Sequence, residues 1–197
     1  MKIEIRSGSV TLEGYVNAVD RDSRTLGAPG GKMFVERVVP GTFRKAIERA
    51  ANVELRYNHE RQIGGTASGN MELYEDNVGL KVKAVVTDAM VIEKAKNGEL
   101  RGWSFGFRAI KDRWEDDSDI SRRYLEDIYL KEVSILDKTP AYIGTSVEYR
   151  DDEALIMEFR MRSDENNKVI ILEPQKKQEY STELSIQRHR KMKNRRK

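Results

Sequence analysis

The sequence predicts an α+β domain that ends near residue 150, followed by a partly disordered, charged tail. Three observations carry that prediction. From the start to about residue 150, short apolar runs alternate with turn residues, a strand-rich pattern. Two stretches instead place apolar residues at helical spacing behind a capping residue. Beyond residue 150 the chain becomes polar and basic. With 197 residues, 38% of them hydrophobic and 35% charged, there is apolar material for one core but little to spare.

Taken in order, Val10 to Val19 reads as a long strand and the Gly- and charge-rich stretch Asp20 to Gly31 as a mobile loop. Phe34 to Val39 is a second strand, stopped by Pro40-Gly41. Thr42 is placed to cap a short helix that carries Phe43, Ala46, Ile47 and Ala50 on one face. Val53, Leu55 and Tyr57 alternate with Glu54, Arg56 and Asn58 in a strand that stops at His59, before a flexible Gly64-Gly65 turn. Met71 to Tyr74 and Leu80 to Val86 make a hairpin around Glu75-Asp76-Asn77, with Gly79 in its return. Asp88 caps a second helix through Val91, Ile92 and Ala95, closed by Asn97-Gly98.

Trp103 to Phe107 alternates large and small residues. Glu115 to Asp119 reads as a solvated loop, Tyr124 to Leu136 as a strand region, and Pro140-Ala141-Tyr142 as the end of the body. After residue 150 there is a weak helical signal at Ala154 to Met161 and an apolar patch at Val169 to Leu172. The remainder buries too little apolar surface to offset its ordering entropy.

Composition excludes several function classes. The absence of cysteine rules out disulfides, a thiol nucleophile and thiolate metal sites. The first ten residues lack the apolar stretch of a secretory signal, and no apolar run is long enough to cross a bilayer. A soluble intracellular protein is expected, without membrane attachment. The formal charge of +3 resides in the tail: Arg188 to Lys197 hold seven Lys or Arg and no acid, which leaves 29 basic against 33 acidic residues before them. A body that is mildly acidic is a poor nucleic-acid binder, so only the tail is suited to such contact.

Few residues are equipped for chemistry. Of two histidines, His189 sits in the basic cluster, whereas His59 ends a strand, where the sheet holds a ring yet leaves it open to a substrate. Ser104 and Gly106 lie opposite the large rings of Trp103, Phe105 and Phe107, so the two face a cleft or solvent. Glu132 points away from the core that Val133 and Ile135 suit, and a carboxylate there is able to accept the second ring proton of His59. Taken singly, each has a plainer reading: a polar strand-end residue, a strand serine, and a cross-strand partner for Lys or Arg. No metal constellation and no phosphate-cradling glycine loop occurs, so neither metal nor cofactor is expected.

Read in order, several stretches resemble one family, the prohead serine proteases of tailed phages, whose fold is like the herpesvirus assemblins. They are Pro40-Gly41-Thr42-Phe43, Asn58-His59-Glu60 with Ile63-Gly64, Glu75-Asp76 with Gly79-Leu80, Gly102 to Phe107, and Leu130 to Ser134 followed by Pro140-Ala141-Tyr142. They cover the chain from about residue 10 to 147.

The resemblance implies a small β-barrel with a few helices over residues 1–150, with a targeting or self-cleaved tail over residues 151–197. It makes Ser104 the nucleophile and His59 the base. Assemblins place a histidine on a strand after the nucleophile; none is present here, and Glu132 takes that role ahead of Asp112, Asp127 and Asp137. Oxyanion donors would be backbone amides aided by Arg101 or Arg108. The implied activity is endoproteolysis of the scaffolding region of the major capsid protein, and of the protease itself, in proheads assembling in the host cytoplasm. An oligomer is allowed. The competing reading is an inactive, scaffold-like assembly protein that acts through its basic tail.

Overall fold

Alternation of apolar and polar residues sets the strands, and two capped segments supply the helices. The computed structural model describes residues 1–27, 32–116, 120–137, 147–148, 157–163 and 168–171. Along the chain run β1 (Lys2–Arg6), β2 (Ser9–Ala18), β3 (Leu26–Gly27), β4 (Met33–Val38), α1 (Thr42–Arg49), β5 (Glu54–Tyr57), β6 (Arg61–Gly65), β7 (Met71–Glu75) and β8 (Gly79–Val86). They are followed by α2 (Ala89–Lys96), β9 (Gly102–Glu115), β10 (Ser121–Leu136), β11 (Val147–Glu148), β12 (Met157–Ser163) and β13 (Lys168–Ile171).

The strands form two sheets. One has the order β13-β1-β2-β8-β7; the other has the order β11-β12-β9-β10-β4-β3, with β5 paired to β10 and β6 to β5. The described residues are thus mostly β with two helices. The expected barrel does not appear in these pairings: among the described residues, neither strand order closes into a ring. The long β10 organises the second sheet. One of its edges pairs antiparallel with β9; the other runs parallel first to β4 and then to β5. Helix α1 links β4 to β5 and packs on β10.

The core lies between the sheets. Ile3, Leu12, Val82 and Ala84 from one meet Leu55, Phe105, Phe107 and Ile135 from the other, with Phe43 of α1 and Val91 of α2 closing it. Phe43 meets Phe105 edge-on at 5.4 Å between ring centroids, and Phe105 stacks on Phe107 at 5.2 Å.

The hairpin at residues 71–86 and both helices lie where the sequence places them. Asp88 caps α2 as expected, accepting from the Val91 amide at 3.1 Å. Four details differ. Thr42 does not cap α1. Its hydroxyl donates to the Leu125 and Glu126 carbonyls, while the Glu75 carboxylate accepts from the Gly41 amide at 2.5 Å and the Arg44 amide at 2.8 Å. An anion brought in from β7 therefore serves the positive end of α1. Gly64-Gly65 is strand β6 rather than a turn, because Asn70 and Val53 close around it. Part of the expected 20–31 loop is ordered, with β3 pairing to β4 and Asp22 bridging to Arg37; residues 28–31 lie outside the described residues. The helical signal at Ala154 to Met161 is overridden from Met157 onward, and residues 154–156 lie outside the described residues. Met157–Ser163 is a strand on β9, and Lys168–Ile171 pairs in parallel with β1. Both strands lie beyond residue 150, where the tail was expected to begin.

Candidate functional site

β9 carries two faces. Trp103, Phe105 and Phe107 are buried in the core, which leaves Ser104 and Gly106 on the other side. Across the ladder, Ser134 of β10 stands opposite Ser104, and Glu132 opposite Gly106. That pairing depends on a β-bulge. Leu130 pairs with Phe107 and Glu132 with Gly106, which leaves Lys131 as an extra residue. Before the bulge, Ile128 and Leu130 point to the core; after it, Val133 and Ile135 do. Glu132 is thereby delivered to the face of Ser104.

His59 arrives from the parallel neighbour β5, where Arg56 lies opposite Ser134 and Tyr57 opposite Ile135. The chain leaves β5 through two left-handed residues, Asn58 at φ 52° and His59 at φ 64°. Such backbone is uncommon outside glycine, and here a network holds it. The Asn58 side-chain amide donates to Asp137 at 2.7 Å, the Asp137 amide donates back to the Asn58 oxygen at 3.2 Å, and the Tyr57 hydroxyl donates to Asp137 at 2.5 Å. Burial works to raise the Asp137 pKa, but the hydrogen bonds from Tyr57, Asn58 and Lys94 outweigh it and hold the carboxyl below its ordinary range. Burial and the bond to Asp137 push the Tyr57 hydroxyl above its own range.

The His59 ring then meets Glu132 through Nδ1. Glu132 is nearly buried and fully engaged. Ser134 Oγ donates to its Oε1 at 3.1 Å, and the Arg56 guanidinium lies 3.1 Å from its Oε2. Arg56 also donates to Glu54 at 2.7 Å and to the His59 carbonyl at 3.0 Å, so one cation ties the acid to the histidine backbone. Ser134 Oγ accepts from the His59 amide at 3.2 Å. His59 Nε2 is buried and has no hydrogen-bond partner among the described residues.

Ser104 is wholly buried on this same face. Its hydroxyl donates to the Arg160 carbonyl of β12 at 2.8 Å. The adjacent Phe159 ring meets the His59 ring edge-on at 4.5 Å and lies over Gly106, where a Cβ would come within 2.8 Å of the Phe159 ring and of Glu132 Cγ.

Histidine, serine and glutamate expected from sequence thus converge on one sheet face. The other carboxylates are engaged elsewhere: Asp112 with Arg123, Asp127 with Arg49, and Asp137 with the Asn58 network. Arg101 donates to the Gly98 carbonyl, and Arg108 lies over the Tyr129 ring. Sequence reasoning missed Arg56, Ser134 and Phe159. For the first two, a signal existed: Ser134 is two residues from Glu132 and so shares its face, and Arg56 alternates with buried Leu55 and Tyr57. Among the described residues no cluster of acidic or histidine side chains is suited to a metal ion, and no helix is long and apolar enough to cross a membrane.

Comparison with known families matches residues 1–158 to the caudovirus prohead serine proteases. A prohead protease of Escherichia phage T5 is 24% identical over 136 residues, a stretch covering 68% of this chain and 60% of that protein. No solved structure matches the chain.

Proposed function

The chain belongs to the caudovirus prohead serine protease family, and from that premise we propose that it is a serine endopeptidase of capsid maturation whose nucleophile is Ser104. The observation that carries this reading is the orientation of His59. Its Nδ1 is fixed on Glu132, while Nε2 remains unpaired on the face that holds Ser104.

The chemistry follows from those positions. Glu132 accepts the Nδ1 proton, which selects the tautomer whose Nε2 has a free lone pair. With the Ser104 hydroxyl turned from the Arg160 carbonyl toward Nε2, His59 takes the hydroxyl proton as the oxygen attacks a peptide carbonyl. The resulting imidazolium is stabilised by Glu132, which Arg56 and Ser134 hold in place. His59 returns the proton to the departing amine, and the same pair activates water to release the acyl group. The substrates are the scaffolding region of the major capsid protein and the protease's own chain, cut inside the assembling prohead in the host cell. The two sheets are the framework of an assemblin-like arrangement.

Replacing Ser104 or His59 by alanine is expected to lower peptide-bond cleavage by ~10⁴-fold or more with the fold intact, as for other triads. The measurement is the cleavage rate of the capsid protein, with circular dichroism as the control. A Ser104→Ala chain that cuts at the normal rate excludes this nucleophile.

A further inference from the structure

A peptide substrate must bring a carbonyl to Ser104 Oγ, and a carbonyl is already there. It belongs to Arg160 of β12, 2.8 Å away. β12 runs antiparallel along β9, with Phe159 opposite Gly106, Arg160 opposite Phe105 and Met161 opposite Ser104. An extended peptide adding to an exposed sheet edge would make the same main-chain contacts. Phe159 also packs on the catalytic face itself, against the His59 ring and over the bare backbone of Gly106. The serine hydroxyl, the histidine ring and the edge of the nucleophile strand are all covered by one segment of the same chain.

What sets the register of that segment is charge. Glu158 and Arg160 point away from Phe159 into a buried cluster with Glu36 and Arg123. Arg160 donates to Glu36 through two bonds of 2.7 Å and to Glu158 at 2.7 Å, and Arg123 donates to Glu158 at 2.5 and 2.9 Å. A buried ion cluster fixes register well, but the cost of desolvating its charges offsets much of their attraction. It therefore specifies where β12 sits while adding little to how firmly it is held.

We propose that β12 occupies the substrate's place: the edge of β9 binds an extended peptide antiparallel to it, with a bulky apolar side chain where Phe159 meets His59, and β12 competes for that edge from within the chain. The proposal rests on Ser104 being the nucleophile. Being covalently attached, β12 is present at high effective concentration and lowers apparent affinity for any substrate by the fraction of time that it is bound.

The test uses the full chain and a fluorophosphonate probe, with the labelled residue located by mass. Phe159→Ala weakens β12's hold, so Ser104 is expected to label roughly tenfold faster than in the wild type, in proportion to the open fraction. A peptide with the sequence Met157–Ser163 should slow that labelling again, and the same peptide with aspartate for phenylalanine should not. Hydrogen exchange on the wild-type chain supplies a second readout that needs no variant. The amides of Met157–Ser163 should open at lower free energy than those of β9's partner β10. Label on another residue in both chains overturns the nucleophile assignment itself. With label on Ser104, equal rates in a folded Phe159→Ala chain, or β12 amides that exchange only with global unfolding, overturn the place given to β12.

Discussion

Glu132 has two oxygens with different tasks. Oε1 meets His59 Nδ1 and accepts from Ser134, while Oε2 faces Arg56. Glu132→Gln keeps the shape but offers an amide that donates, so it favours the wrong tautomer of His59 and loses the charge beside the imidazolium. Cleavage should fall by roughly 10²- to 10⁴-fold yet stay above that of Ser104→Ala, since the serine and the binding edge survive. Steady-state rates of the two variants on one peptide check this; a fully active Glu132→Gln transfers the orienting role to another group. The faces that Ser104 and Glu132 take were legible, because alternation along a strand tells which side a side chain occupies. Alternation does not tell which neighbours meet on that face. The engagement of Asp137 with Asn58 and Tyr57 spans about eighty residues of sequence and arises only when β5 lies beside β10.

β12 was the element hardest to read. Charged residues normally face water, and Glu158 and Arg160 among apolar neighbours gave a weak helical impression. In the fold they point inward, because each finds a buried partner of opposite sign. Burial works to raise the Glu158 pKa, but Arg123 and Arg160 outweigh it, so its folded value lies below the ordinary one. A depressed carboxyl contributes stability that is present above its unfolded pKa of about 4.3 and is lost as pH falls through the lower folded value. Glu158→Gln leaves Arg123 and Arg160 short of an acid. Near neutral pH the variant should be less stable by up to about 3–5 kcal/mol, toward the low end if β12 detaches rather than keeping the uncompensated charge buried. Urea midpoints measured downward from about pH 6 should show the gap to wild type closing below about pH 4.3. A gap independent of pH would mean that Glu158 contributes packing rather than charge.

Across the molecule, strand-rich composition with two helices was readable, but closure was not. Whether strands form a ring depends on which edges pair, and β10 uses one edge for both β4 and β5 while β2 and β8 build a separate sheet. The position of the body's end was likewise hidden, because β12 and β13 are short and their partners, β9 and β1, lie far upstream. The seven basic residues of Arg188 to Lys197 lie outside the described residues. We propose that they draw the protease to acidic partners by a screened attraction. A chain ending after Leu172 should then melt at the same temperature and cleave a short peptide normally. Its incorporation into shells assembled with the Ser104→Ala background should drop, and the full chain's incorporation should weaken as salt rises. Equal copy numbers in the two kinds of shell would remove the targeting role.

Lys131 has a consequence out of proportion to its exposed side chain. It is the odd residue that changes the phase of β10, so the same strand is apolar inward at Ile128 and Leu130 and again at Val133 and Ile135. Deleting it would make the strand regular rather than turn it over. Without it the ladder runs on unbroken from Leu130 opposite Phe107 to Glu132 opposite Gly106, and Glu132, Val133 and Ser134 each keep their face. What the deletion removes is the local bend and added twist of the bulge, not the face that Glu132 takes. A Lys131 deletion is therefore expected to melt cooperatively with Glu132 still opposite Gly106, whereas deleting Val133 would turn Ser134 toward the layer of Phe105 and should lose cooperative melting. At this position the strand tolerates a change of count that it does not tolerate two residues further on.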